Sequence, residues 1–290
     1  MSMIDFFQQH SLYYFTVIFI FGLCLGSFLN VVIYRLPIVL QRKWRAQCVD
    51  FLNLPASANE EALDVFNLCS PRSHCVHCKR TLPFFLNIPL LGFLVQRAKC
   101  RFCKKKISWR YPCVEFLASL LSLACAWQWG VSWTTLAALL FCLTLLALVF
   151  IDLDVLLLPD SLTLPLLWLG LFFSVFSLFI SSQEAILGAL LGYLVLWSIA
   201  KIFHYFAGVE GMGAGDFKLN AALGAWLGWQ YLPWLLSLSA ILALLVGGGL
   251  MLRKKLTLRS PIPFGPFLAM AGLIFFFWGK PLGTGVSVCW

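Results

Sequence analysis

Residues 131–154 read VSWTTLAALLFCLTLLALVFIDLD, and the fold turns on this stretch. From 116 to 151 there is no Asp, Glu, Lys or Arg; the first charge is Asp152, with Asp154 two residues on. About 20 predominantly apolar residues carry an α-helix across the ~30 Å hydrocarbon core of a bilayer. The stretch therefore predicts a membrane-spanning helix with carboxylates at its end. Ionisable groups at membrane depth are costly and serve function by default. Working outward, further apolar segments recur at about 12–33, 113–129, 161–180, 185–203, 232–252 and 264–279. A shorter one, 219–231, is interrupted by Gly224 and Gly228, and reads as a short or tilted span or a re-entrant piece covered by protein. The chain is 61% hydrophobic and 11% charged, which excludes an ordinary soluble domain. The fold class expected is an all-α polytopic membrane protein.

Charge sets the orientation. Of 21 Lys and Arg residues, 14 lie between Arg35 and Arg110, against the acids Asp50, Glu60, Glu61 and Asp64. The positive-inside rule puts this loop in the cytoplasm. Eight crossings, counting 219–231, keep the basic clusters on that side, including Arg253-Lys254-Lys255, and bring Asp152 and Asp216 to one face. The N-terminus reads as a retained first span, not a cleaved signal peptide. The domains expected are a first span over 1–34, a basic cytoplasmic loop over 35–112 and a membrane domain over 113–290. A net charge of +9 is explained by orientation and contact with anionic membrane lipids, without nucleic acid.

The loop is polar over 37–72, with a turn expected at Pro55–Asn59. It then carries Cys75-Val76-His77-Cys78 and Cys100-Arg101-Phe102-Cys103. Two CxxC pairs fit a structural, zinc-knuckle-like site in which Cys75, Cys78, Cys100 and Cys103 satisfy tetrahedral Zn²⁺. The alternatives are reduced thiols or a redox-active pair. Cys24, Cys125 and Cys142 lie in apolar spans and are expected to be buried packing residues.

Asp216 is the only acid in Gly211-Met212-Gly213-Ala214-Gly215-Asp216-Phe217-Lys218. Paired with an acid at the end of 131–154, it suggests aspartyl hydrolysis at the bilayer surface: one carboxylate activates water while the other donates a proton. Asp152 and Asp154 point to different helix faces and are not separated as the first acid by the residues alone. Asp160 is expected to cap the next span. Lys218 either neutralises a phosphate or snorkels. Gly213 and Gly215 let an extended substrate approach. Glu115 either pairs with Arg110 or forms a solvated helix start.

Five segments together resemble the type IV prepilin peptidases, the bacterial inner-membrane leader peptidases and N-methyltransferases of the GxGD aspartyl type. They are Gly26-Ser27-Phe28-Leu29-Asn30 through Tyr34-Arg35-Leu36-Pro37, the two CxxC pairs with Asn87-Ile88-Pro89, Arg110-Tyr111-Pro112-Cys113-Val114-Glu115, the DxDxxxLPD pattern of 152–160 with 211–218, and Pro263-Phe264-Gly265-Pro266. The resemblance implies Asp152 and Asp216 as the catalytic acids; Asp154, Asp160, Gly213, Gly215, Lys218 and Glu115 are expected to support them. It implies a multi-pass inner-membrane enzyme with its active site facing the cytoplasm. It also implies prepilin and pseudopilin substrates of type IV pili and type II secretion, followed by methylation of the new N-terminus with S-adenosylmethionine. The methyl donor's residues are unknown at this level; Gly92 and Arg97–Lys99 are candidates. Val76 stands where the family often has proline, and 37–72 looks longer than the family needs. Oligomeric state stays open.

The rival class is an ion- or proton-coupled transporter using the aspartates, which does not account for four thiols in the loop. A non-catalytic assembly protein predicts tolerance of both Asp→Asn changes. A zinc metalloprotease is disfavoured, since no His-Glu-x-x-His occurs.

Overall fold

The computed structural model describes residues 10–53, 66–208, 211–252 and 262–279. The expected turn at Pro55–Asn59 and the basic cluster Arg253–Lys255 lie outside them. Among the described residues the regular structure is helical, with isolated β-bridges only at His74–Thr81 and Lys99–Lys106. The chain divides into two units, 1–139 and 140–290.

The first unit is built on α1 (Ser11–Phe51). At 1.5 Å per residue it runs about 60 Å, roughly twice the hydrocarbon thickness. The helix does not stop at the predicted end of the first span. It continues through buried Pro37 into an exposed, basic stretch with Arg42, Lys43 and Arg45. A proline costs a helix one backbone bond and a local clash, and here flanking turns on both sides carry the helix past it.

Against α1 lies α3 (Arg110–Trp129), preceded by the short α2 (Leu91–Val95). The two long helices run antiparallel. Tyr14 Oη donates to Gly130 O at 2.8 Å near one end, and Asn30 Nδ2 donates to Tyr111 O at 3.0 Å near the other. Between these ties, a Cβ on Gly22 would lie 2.7 Å from Ser119 Cα and one on Gly26 2.6 Å from Glu115 Cα. Small residues four apart let helix backbones approach where lipid supplies no hydrophobic drive. Buried Arg35 fastens the loop to α1 by donating to Asn67 O (3.0 Å) and Pro71 O (2.6 Å).

α4 (Trp133–Val155) spans the division between the units. The second unit continues with α5 (Asp160–Val175), α6 (Ser182–Ala207), α7 (Ala214–Leu227), α8 (Leu232–Leu252) and α9 (Gly265–Trp278). α7 is its axis. Every residue from Leu219 to Leu227 is buried, so that part of 219–231 is a helix covered by protein, while Trp229–Tyr231 forms a separate, partly exposed turn. Gly188 of α6 and Gly224 of α7 meet backbone to backbone, and a Cβ on either would run into the other's carbonyl. Asn220 Nδ2 donates to Gly192 O at 2.7 Å, and Trp226 Nε1 to Leu166 O at 2.8 Å. Trp226, Phe141 and Phe276 form an aromatic cluster, with Phe141 ring centroids 4.8 and 4.5 Å from the other two.

Among the described residues, four helices are long and apolar enough to cross a membrane: α1, α4, α6 and the stretch Trp229–Leu252. Cys125 and Cys142 are buried as expected, but Cys24 is exposed. The side of α1 that packs on α3 is the glycine side, and Cys24 falls outside that seam.

Candidate active site and the cysteine cluster

Asp152 ends α4 and Asp216 opens α7, in its first turn, where the helix dipole favours a carboxylate. Although 64 residues apart, both are buried, at 5% and 9% exposure, and the charge of Asp152 acts on Asp216. The Gly265 N–H, at the start of α9, donates to Asp152, and the Gly213 N–H donates to Asp216. One oxygen of each carboxylate, Asp152 Oδ2 and Asp216 Oδ1, is buried without a hydrogen-bond partner. Buried polar atoms are rarely left so. Two buried acids with a free oxygen each can take water and a polar substrate group.

Asp154 is exposed, so burial separates the two acids that the sequence left level. Asp160 does not cap α5: Pro159 holds the N-cap position, and Asp160 takes Lys218 Nζ on both oxygens at 2.7 Å. That ion pair fills the role left open for Lys218 between phosphate binding and snorkelling. Gly215 leaves no gap for a substrate, since a Cβ there would lie 2.7 Å from Leu158 Cβ. Leu158 also reaches Gly265, whose own Cβ would lie 2.7 Å from Asp152 Oδ2. Gly265 and Leu158 thus join the site although sequence reasoning gave them no role. Their signal was present in Pro263–Pro266 and in the LPD of 152–160, but neither bears a reactive group.

In the first unit the two CxxC segments fold alike. Cys75 N–H donates to Arg80 O and Cys100 N–H to Lys105 O, with Lys79 and Lys104 at φ of 59° and 60° closing the turns. The sulfurs of Cys75, Cys78, Cys100 and Cys103 all lie within 4.8 Å of one another, and Cys75 Sγ is 3.8 Å from Cys103 Sγ. A tetrahedron with Zn–S bonds of about 2.3 Å sets its sulfurs about 3.8 Å apart, so the donors fit zinc. The Cys103 N–H draws the Cys100 thiol down to about 7 against an opposing push from burial. Cys103 goes up to about 11: the Lys105 N–H lowers it, but burial and the neighbouring thiols outweigh that. His77 is exposed and is not among the clustered ligands.

Glu115 is buried and braces the cysteine-bearing segment, with Leu90 N–H donating to its Oε2 at 2.8 Å and Ser27 also bonding it. This replaces the solvated helix start expected for it. A cavity of about 390 Å³ lies beside it. Gly92 packs on the Leu86 carbonyl, and neither it nor Arg97–Lys99 lines that cavity; Gln96 does.

Comparison with known proteins adds the decisive observation. Residues 20–129 match the bacterial peptidase A24 N-terminal domain, and 139–248 match the type IV leader peptidase family. The chain is 52% identical over 271 residues to a prepilin leader peptidase/N-methyltransferase of Aeromonas hydrophila, covering 93% of this chain and 92% of that protein. This chain belongs to the type IV leader peptidase family. A Stutzerimonas stutzeri protein of the same name is 48% identical over 282 residues, covering 97% and 96% of the two chains. One from Pseudomonas aeruginosa is 43% identical over 282 residues, with the same coverage. No solved structure matches this leader peptidase chain.

Proposed function

We propose that this protein cleaves the basic leader from prepilins and pseudopilins and methylates the amine so exposed. The reading rests on family membership and on one observation: two buried carboxylates from separate helices, each with an unpartnered oxygen. Asp152 and Asp216 act as a pair. One, ionised, takes a proton from water as its oxygen attacks the scissile carbonyl carbon. The other, protonated, gives its proton to the carbonyl oxygen. As the adduct collapses, the first passes the proton it took from water to the amide nitrogen, the C–N bond breaks to release the amine, and the hydroxyl proton returns to the second. Such a pair titrates as a unit, so neither role belongs to one residue alone. Asp154, Asp160, Gly213, Gly215, Lys218 and Glu115 stand in support.

The chain sits in the bacterial inner membrane with eight crossings, divided as 1–34, 35–112 and 113–290, and the acids face the cytoplasm. That topology suits a substrate whose apolar helix lies in lipid while its cleavage junction reaches the interface. The four thiols hold structural zinc, which ties the two knuckles together. S-adenosylmethionine, when bound, supplies the methyl group. The paired buried acids and the charge-poor helices favour hydrolysis over transport, since an ion pathway gives no reason for a four-thiol cluster.

The test is cleavage of a prepilin-like peptide that includes its apolar helix, by purified protein in lipid. Asp152→Asn and Asp216→Asn each lose activity on the order of 10²–10⁴-fold, while Asp154→Asn retains it. Robust cleavage by either Asp152→Asn or Asp216→Asn sinks the aspartyl mechanism.

A further inference from the structure

The cavity of the first unit is the feature that peptide hydrolysis leaves unused. Its volume of about 390 Å³ falls in the range of roughly 300–1,000 Å³ that holds small-molecule ligands. One wall is a face of α1, where Ser27, Asn30 and Tyr34 recur at helical spacing. Opposite stands Glu115 of α3, and Gln96 closes the side beyond α2.

This wall carries one acceptor without a partner and one carboxylate held only by neutral donors. Glu115 is 8% exposed, and its partners, the Leu90 N–H and Ser27, are neutral. A buried carboxylate held only by neutral donors is costly. Gln96 spends its Nε2 on Gly92 O at 2.9 Å, which leaves Oε1 buried without a partner. Both deficits are met by one ligand that carries a positive charge and N–H or O–H donors. The rest of the lining suits the other parts of such a ligand. Tyr34, Phe93 and Tyr111 offer ring faces for a purine, and exposed Lys105 and Lys106 offer a partner for a carboxylate.

We propose that this cavity holds S-adenosylmethionine, with Glu115 opposite its cationic end and Gln96 Oε1 accepting one of its donors. The inference rests on the methyl-transfer reading and locates its cofactor. It moves the site away from Gly92 and Arg97–Lys99.

Binding, not activity, tests it. Full-length protein in lipid nanodiscs is titrated with S-adenosylmethionine by calorimetry, and separately cross-linked to methyl-tritiated S-adenosylmethionine by ultraviolet light. The label is expected on peptides from 27–35 or 90–115. Glu115→Gln and Gln96→Met, each checked for a retained melting transition, are expected to weaken binding on the order of tenfold or more. If the parent binds but the label falls within 140–290, or both folded variants bind like the parent, the cavity assignment fails and the methyl-transfer reading survives. If the parent does not bind at all, both fail. Should a variant not fold, the position of the label on the parent still decides.

Discussion

Lys218 Nζ holds both carboxylate oxygens of Asp160 at 2.7 Å, tying the first residue of α5 to the first turn of α7, two residues past Asp216. The two side chains are 57% and 28% exposed for Asp160 and Lys218, so water screens the pair. Its worth is in position more than in stability. Lys218→Ala and Asp160→Ala are each expected to cost no more than about 1 kcal/mol in unfolding measurements. Cleavage is expected to fall further than stability does, and the double variant to lose no more than either single one. Additive losses in the double variant count against coupling through this pair.

Gly265 gives Asp152 its backbone donor and leaves no room for a side chain, since a Cβ would lie 2.7 Å from Asp152 Oδ2. Gly265→Ala is expected to lower the cleavage rate at least about tenfold with near-parent thermal stability, because it displaces one carboxylate oxygen and not the helix core. Parental turnover by this variant removes Gly265 from the site.

Gly188 and Gly224 bring α6 and α7 into backbone contact. Gly224→Val is expected to destabilise the second unit by about 1–3 kcal/mol through overpacking, read as a lower thermal midpoint in mild detergent. Gly248→Ala on α8, where a Cβ meets open space, serves as the control and leaves the midpoint within error.

Elemental analysis of the purified protein is expected to give one zinc per chain, falling to zero in a Cys75→Ser, Cys103→Ser double variant. Hydrogen exchange over 73–106 then accelerates, because a small loop with little core depends on its metal. Exchange within α6 and α7 is expected to stay as in the parent. Slow exchange over 73–106 without metal would show that hydrogen bonds alone hold the knuckles.

Much of this protein was legible in its residues because membranes read sequence locally. A charge-free run such as 116–151 satisfies its own backbone as a helix wherever it lies, so a helical membrane protein followed directly. The two CxxC spacings did the same for the cysteine cluster, since a knuckle is a short turn whose geometry its own hydrogen bonds impose. Sequence also named Asp152, Asp216 and the other candidate acids, and resemblance named the family that the comparisons then showed.

Tertiary structure decided what depends on partners distant in the chain. Whether Asp152 or Asp154 is buried, and that Asp160 takes Lys218 instead of capping its helix, turn on where α5, α7 and α9 come to rest. So does the use of Gly265 as a donor, which no side-chain chemistry advertises. The continuation of α1 through Pro37 and the placing of Glu115 against Leu90 belong to the same class. The physical reason is one throughout: helix formation and turn closure are short-range and written in neighbouring residues, whereas burial, unpaired acceptors and electrostatic pairing exist only once separate helices enclose a common space.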